Sequence, residues 1–416
     1  MFKLFFLFIS SLTLCFSNYI DSIVISGNKK TKEYVIEREI LQTRGSHLDS
    51  LKLIEDKNRL YNLGIFSTVD INYHEGIYKV NVIESFSILP DLIIDYSEIK
   101  RKWSYGIALV NINFLGMNQK LYFGGAFIGE KWFAIGIENP WVFGDHISLG
   151  GTFYNRFTDN PFYDFTYYET LILLNTGFYK GLKNRFSFDI SYYKNKKDQI
   201  SSYETIPVNE KNLYKYINFD INYIFDSRDI YNDPLKGSLF DFDFNFSKSL
   251  IKSNSDITEL KLSFQQFFLI NSKILHEPVI SYKIQSLFKF PTFRNLPIHE
   301  YEYIGGEDFV RGYSSFKDDY PDRFNKNIEV SNVLYASLEL QSTLLEKKDY
   351  GKIEFGMDGL FFANYGLGSS SIHSFSIDNL LFGYGFGFKF FVTGPPPISI
   401  MFGFNPYGQN FTHFSD

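Results

Sequence analysis

From Pro90 onward the chain is written in a period of two. Between Leu213 and Phe225 the positions Leu213, Ile217, Phe219, Ile221, Tyr223 and Phe225 are apolar, and Asn218, Asp220 and Asn222 between them are polar. Phe240, Phe242, Phe244 and Phe246 alternate with Asp241, Asp243 and Asn245. Phe186, Phe188, Ile190 and Tyr192 alternate with Ser187, Asp189 and Ser191. Neighbouring side chains of a strand point to opposite faces, so each segment has one apolar and one wet face. A soluble sandwich alternates too, but its strands usually run about five or six residues. Many segments here run to about ten, the length a tilted strand needs to cross hydrocarbon. The pattern predicts a transmembrane β-barrel.

Counting back from the C-terminus gives about sixteen segments, an even number as in single-chain bacterial barrels. They begin near Leu92 and end near Phe414. Alternate connectors are short, such as Gly116-Met117-Asn118, Gly181-Leu182-Lys183-Asn184 and Gly394-Pro395-Pro396-Pro397. Others are long, including Lys196 to Lys211 and Phe290 to Ser331. Short turns face the periplasm and long loops the outside, which puts the N-terminal segment in the periplasm.

Residues 19–85 follow another pattern. Ile20 to Ser26 reads as a strand closed by Gly27-Asn28, after which Thr31 is placed to cap a helix burying Val35, Ile36, Ile40 and Leu41. A second helix opens near Asp49 and Ser50, buries Leu53, Ile54, Leu60 and Tyr61, and stops at Gly64. Phe66 to Tyr73 and Tyr78 to Glu84 flank His74-Glu75-Gly76 as a hairpin. The predicted order is β-α-α-β-β.

Ahead of this unit, Lys3 and the apolar run Leu4 to Phe16 read as a secretory signal peptide over residues 1–17, cleaved near Asn18. Cys15, the only cysteine, lies inside it, so the mature chain has neither disulfides nor a thiolate metal site. The 47 Phe and 30 Tyr, with abundant Asn and Asp, suit strands and turns. A formal charge of −6 with scattered Lys and Arg offers no basic stripe for nucleic acid. The histidines His47, His74, His146, His276, His299, His373 and His413 show no ligand-like pairing, so no metal or cofactor is expected. No Ser, His and carboxylate grouping marks an enzyme.

Leu60-Tyr61-Asn62-Leu63-Gly64-Ile65-Phe66 makes residues 19–85 resemble a single POTRA domain, the polypeptide-transport-associated module. Four matches beyond it make the chain resemble the BamA/TamA superfamily of outer-membrane assembly and translocation proteins. They are Gly305-Gly306 with Val310-Arg311-Gly312-Tyr313 in the long sixth external loop, and Asp226-Ser227-Arg228-Asp229 with Pro234 and Gly237 in a periplasmic turn. The others are Asn139-Pro140-Trp141 leading through Gly144-Asp145 into Ile147-Ser148-Leu149-Gly150, and Tyr384-Gly385-Phe386-Gly387-Phe388 with Pro396-Pro397-Ile398.

The resemblance implies a mainly β fold: a 16-stranded antiparallel transmembrane barrel over residues 90–416, preceded by one small α+β POTRA domain. It implies that the long loop folds back into the lumen, where the planar guanidinium of Arg311 bridges acceptors on the wall. The family's partner is an Asp on the thirteenth strand; here the matching position is Asn364, an amide. Asp358 and Glu354 share its parity, and Asp358 is the expected counter-charge. Asp226 and Arg228 are expected to tie their turn to itself, a structural role. The short last strand, Gln409 to Phe414, is expected to pair with the first through few hydrogen bonds, leaving a weak seam.

The implied function is non-enzymatic: insertion of β-barrel proteins into the outer membrane, or translocation of polypeptides across it. The implied partners are unfolded outer-membrane or secreted polypeptide clients, the lipid bilayer, and periplasmic accessory proteins or chaperones. The alternatives are a passive porin-like channel, suggested by lumenal Asp220, Asp241 and Asp243, and a secretion partner dedicated to one exported protein.

Overall fold

The computed structural model describes residues 19–97, 102–129, 131–143, 146–159, 165–197, 211–306, 308–313, 329–392 and 397–415. The leader expected over 1–17, Gly144-Asp145 and Gly394 to Pro396 lie outside these residues.

The N-terminal unit is β1 (Ser22–Ser26), α1 (Glu33–Glu37), α2 (Ser50–Asn62), β2 (Phe66–His74) and β3 (Ile77–Glu84). Its sheet runs β1-β3-β2, with β1 parallel to β3 and β2 an edge. α2 starts where the Asp49 carboxylate accepts the Leu51 and Lys52 amides at 2.9 and 3.3 Å. It ends at Gly64, whose amide donates to the Tyr61 carbonyl at 3.0 Å. Val35, Ile36, Leu60, Phe66, Tyr78 and Val80 form the centre of the core between helices and sheet.

Two local expectations are corrected. Thr31 does not cap α1, whose N-cap position is Lys32; its hydroxyl instead accepts from Asn113 Nδ2, 2.9 Å away in the barrel. Ile54 is exposed, because the inner face of α2 passes through Asp56, a buried carboxylate that takes the Leu41 amide at 2.7 Å and the Tyr78 hydroxyl at 2.8 Å. A buried carboxylate has to be met by donors, and meeting these rotates Ile54 outward.

The remaining strands are β4 (Ile88–Ser97), β5 (Lys102–Phe114), β6 (Gln119–Ile128), β7 (Trp132–Asn139), β8 (Ile147–Asp159), β9 (Thr166–Lys180), β10 (Asn184–Lys197) and β11 (Leu213–Asp226). Then come β12 (Gly237–Ser249), β13 (Ile257–Leu269), β14 (Val279–Phe290), the two-residue β15 (Glu302–Tyr303) and β16 (Glu329–Val330), and β17 (Asn332–Asp349). The chain closes with β18 (Glu354–Ser369), β19 (Leu381–Val392), β20 (Ile398–Phe404) and β21 (Asn410–Ser415). Except for β15 and β16, which pair with each other, strands β4 to β21 form one 16-stranded antiparallel sheet in chain order.

The period-two face is the outer wall. Ile107, Leu109, Phe123, Ile135, Ile137, Phe153, Ile172, Phe188, Ile190, Phe219, Ile221, Ile284, Leu338 and Phe361 are exposed large hydrophobics on β5 to β11, β14, β17 and β18. Soluble monomers seldom expose contiguous apolar patches beyond a few hundred Å², so an apolar belt across this many strands is a lipid-facing surface. No helix among the described residues is long and apolar enough to cross a membrane.

At the seam the expectation of weak pairing is corrected. Among the described residues no ladder joins β4 to β21, so the sheet is open along that line. β21 has only six residues to offer the ten of β4.

The N-terminal unit is seated on the rim formed by the turns after β5, β7, β11 and β17. Asn62 Nδ2 donates to the Asp229 carbonyl at 3.1 Å and its Oδ1 accepts the Tyr231 amide at 3.0 Å. Ser67 Oγ donates to the Gly351 carbonyl at 2.9 Å, and the Lys32 amide to the Gly116 carbonyl at 2.9 Å. The Arg38 guanidinium lies 4.5 Å above the Trp141 ring.

Candidate functional site

The described residues of the long loop between β14 and β17, 291–306 and 308–313, pack against the inner wall. The first part packs Leu296, Ile298 and Tyr301 against Tyr167, Tyr214, Tyr216 and Ile257 at the N-terminal ends of β9, β11 and β13. Lys289 holds it there, with Nζ 3.1, 3.2 and 2.8 Å from the carboxylates of Glu259, Glu300 and Glu302. The second part buries Ile304, Phe309, Val310 and Tyr313 against Leu287, Val333, Tyr335 and Leu381 on the inner wall. Burying these side chains stabilises the inserted loop by roughly 1.5–3 kcal/mol each, an upper bound from transfer values.

Arg311 is the polar centre of that packing and is 6% exposed. Its Nε donates to Asn364 Oδ1 at 2.8 Å, and its backbone amide to the same oxygen at 3.3 Å. Asn364 Nδ2 donates in turn to Tyr335 Oη at 3.0 Å and Ser337 Oγ at 2.8 Å, so the amide is used from both ends. Arg311 Nη2 forms an ion pair with Glu339, and Nη1 points at Met401 Sδ at 2.9 Å. The guanidinium carbon lies 3.9 Å from the Phe362 ring centroid. Charge pairing, directed hydrogen bonds and ring stacking thus converge on one cation.

The expected counter-charge is corrected from Asp358 to Glu339. Ser337 faces Asn364 across the β17–β18 ladder and Glu339 faces Phe362, two residues along on the same face. Asp358 is six residues further along β18, about 20 Å at the usual strand rise. It accepts from Gln341 Nε2 and faces Lys389. Glu339 was legible as a lone acid among Leu334, Leu338 and Leu340, with lumenal parity.

Two glycines make the approach possible. A Cβ on Gly383 would lie 1.8 Å from the Arg311 carbonyl oxygen. Gly312 has φ +100°, and a Cβ there would lie 2.4 Å from the Phe404 carbonyl oxygen.

A family model described as the Omp85 superfamily domain matches residues 113–413. The chain belongs to the Omp85 superfamily. A POTRA model described as a surface antigen variable number repeat matches residues 18–85 of this Omp85 chain. Among solved structures, BamA from Haemophilus ducreyi lacking POTRA domains 1-3 is similar at 16% identity, TM-score 0.57, over 95% of this chain and 84% of that one. CdiB from Escherichia coli is similar at 15% identity, TM-score 0.60, over 96% of this chain and 76% of that one. CdiB from Acinetobacter baumannii is similar at 14% identity, TM-score 0.51, over 96% and 73%. These likenesses are of fold.

The other residues singled out in this Omp85 chain lie away from Arg311. Glu354, the first residue of β18, accepts the hydroxyl of Tyr61 near the end of α2. In the turn after β11, Arg228 grips Asp226 bidentately, Nε to Oδ1 at 3.0 Å and Nη2 to Oδ2 at 2.7 Å. Asp229 Oδ1 takes the amides of Ile230, Leu235 and Lys236 at 3.0, 3.1 and 3.3 Å. Pro234 is buried, and Gly237 has φ +105° where a Cβ would meet the Ser227 carbonyl oxygen at 2.3 Å. This knot stiffens the turn that receives Asn62, so the Asp226 to Gly237 motif and the POTRA-like unit form one junction.

Sequence reasoning missed Glu339, Ser337, Phe362, Met401, Asn405 and His413. For the last two no alternation signal exists, because they meet the loop through its backbone.

Proposed function

We propose that this protein inserts β-barrel polypeptides into the outer membrane, or translocates polypeptides across it, without making or breaking covalent bonds. In this reading residues 1–17 are a signal peptide, 19–85 a periplasmic POTRA domain, and 90–416 the outer-membrane barrel. The observation that carries it is the open edge between β4 and β21 beside a lumen filled by an anchored loop. Unpaired strand edges in hydrocarbon carry unmet N–H and C=O groups, a strong drive to accept another strand. The free edge of β2 gives an extended client a first place to pair on the periplasmic side. Val310, Arg311, Gly312 and Tyr313 set the loop that prepares the barrel for clients, and chaperones or accessory proteins deliver them.

A porin-like channel needs an open lumen, and the buried loop argues against one. The test is depletion of the protein followed by quantification of outer-membrane and surface proteins. Loss of many barrels supports insertion, and loss of one exported protein alone supports a dedicated secretion partner. Unchanged levels of all of them would remove the proposal.

A further inference from the structure

Among the described residues β21 has a ladder on one side only, from Ser399↔Ser415 to Phe404↔Asn410. A six-residue edge strand with one neighbour should fray, yet its inner face is held from within the lumen. His413, 8% exposed, accepts the Gly312 amide on Nε2 at 3.1 Å. Asn405, 2% exposed, donates Nδ2 to the Gly312 carbonyl at 2.8 Å. Both backbone polar groups of Gly312 are therefore met by side chains of the last hairpin and its connector.

The same connector orders Asn405. Its Oδ1 accepts the Tyr407 and Gln409 amides at 3.0 and 3.2 Å, and its Nδ2 also reaches Gln409 Oε1 at 3.0 Å. Met401, opposite His413 in the ladder, contacts Arg311. The loop backbone thus serves as a second, inner neighbour for the edge strand, one residue from the cation that pins the loop to β17 and β18.

We propose that His413 and Asn405 are positioning residues that latch the free edge hairpin Ile398–Ser415 to the lumenal loop, so that the seat of the loop sets how far the seam opens. The proposal rests on the assembly reading for its purpose, but not for its geometry. Coupling of this kind is reciprocal: whatever unseats Arg311 loosens β21, and whatever displaces β21 loosens the loop. A client strand arriving at β21 would then be sensed at Arg311, and loop movement would release the edge for a client.

The test uses the full chain in nanodiscs with nitroxide labels at Leu92 on β4 and Phe414 on β21, both exposed side chains. Pulsed electron resonance reads the distance across the seam. His413→Ala should shift and broaden the distribution to longer distances, and His413→Gln, whose side-chain carbonyl can still accept the Gly312 amide, should restore it. Asn405→Asp keeps the acceptor for Tyr407 and Gln409 but loses the donor to Gly312, and should also lengthen the distance. In an Arg311→Ala background, where the loop is already released, His413→Ala should add nothing.

A native distribution in His413→Ala and Asn405→Asp, failure of His413→Gln to restore it, or simple additivity with Arg311→Ala would overturn the latch. Client assembly in the same nanodiscs separates the two claims. Distances that respond as stated while client assembly is equal in all variants would leave the latch standing and remove the assembly reading.

Discussion

The guanidinium of Arg311 pairs with the carboxylate of Glu339, two ladder rows from Asn364, while Asp358 on the same strand as Asn364 is engaged by Gln341. Two residues thus share the cation: an amide that fixes its orientation and a separate acid that neutralises its charge.

Glu339→Ala should destabilise the inserted loop much more than Asp358→Ala. Removing one partner of a buried pair costs about 3–5 kcal/mol. A Glu339 side chain 25% exposed to the lumen favours the lower end. Limited proteolysis of the 291–331 loop checks this: faster cleavage is expected for Glu339→Ala, and a near-native rate for Asp358→Ala.

Gly383→Ala should expel the motif from its seat, because the new methyl would overlap the Arg311 carbonyl. Gly151→Ala is the control, since its nearest neighbour would be Leu174 at 3.5 Å, an ordinary contact. Heat-modifiable electrophoretic mobility should fall in the first variant alone.

Asn62→Ala removes both hydrogen bonds to the turn after β11, and Tyr61→Phe leaves Glu354 without its hydroxyl donor. Each lost bond costs about 0.5–1.5 kcal/mol, more where a charge is involved. Hydrogen exchange of residues 227–236 should accelerate in both variants, most in the double variant.

Acid should release the outer part of the loop. His299 is buried among Tyr167, Tyr193 and Tyr214; among the described residues neither ring nitrogen has a hydrogen-bond partner, and the nearest carboxylate oxygen to Nε2 is that of Glu300 at 3.9 Å. Burial pushes its imidazole down to about 3, while Glu169 favours the charged form and Lys197 and Lys289 oppose it. The released loop, with its ordinary value near 6.5, binds a proton that the docked loop excludes. Docking stability is therefore fully present above pH 6.5 and lost as pH falls toward 3. At pH 5 the loss is about 2 kcal/mol. Hydrogen exchange over residues 293–303 should rise between pH 7.5 and 5, and His299→Phe should abolish the pH dependence.

Alternation made the strands, their even count and the outer belt readable, because hydrocarbon accepts only side chains of one polarity on that face. Helix stops and hairpin turns were readable from Asp49, Gly64 and Glu75-Gly76, where local chemistry decides. The partner of Arg311 was half readable: Asn364 lay at the motif position and Glu339 stood out as a lone acid of its stretch, but that both meet one cation depends on the β17–β18 register, which no single strand encodes. Thr31 and Ile54 departed from local preference because each answers to a group far away in the chain, Asn113 and the Asp56 network. The open seam is a property of strands at opposite ends of the chain, and no local pattern reports it.

The proposed role, building other proteins into a membrane or moving them through it, rests on a loop seated by Arg311 and Glu339. The most direct measurement is the folding rate of an unfolded outer-membrane barrel client in vesicles carrying the wild-type protein, Arg311→Ala or Glu339→Ala. Acceleration over empty vesicles is expected for the wild type, with most of it lost in both variants. Equal client folding in empty and loaded vesicles, or full acceleration by both variants, would contradict it.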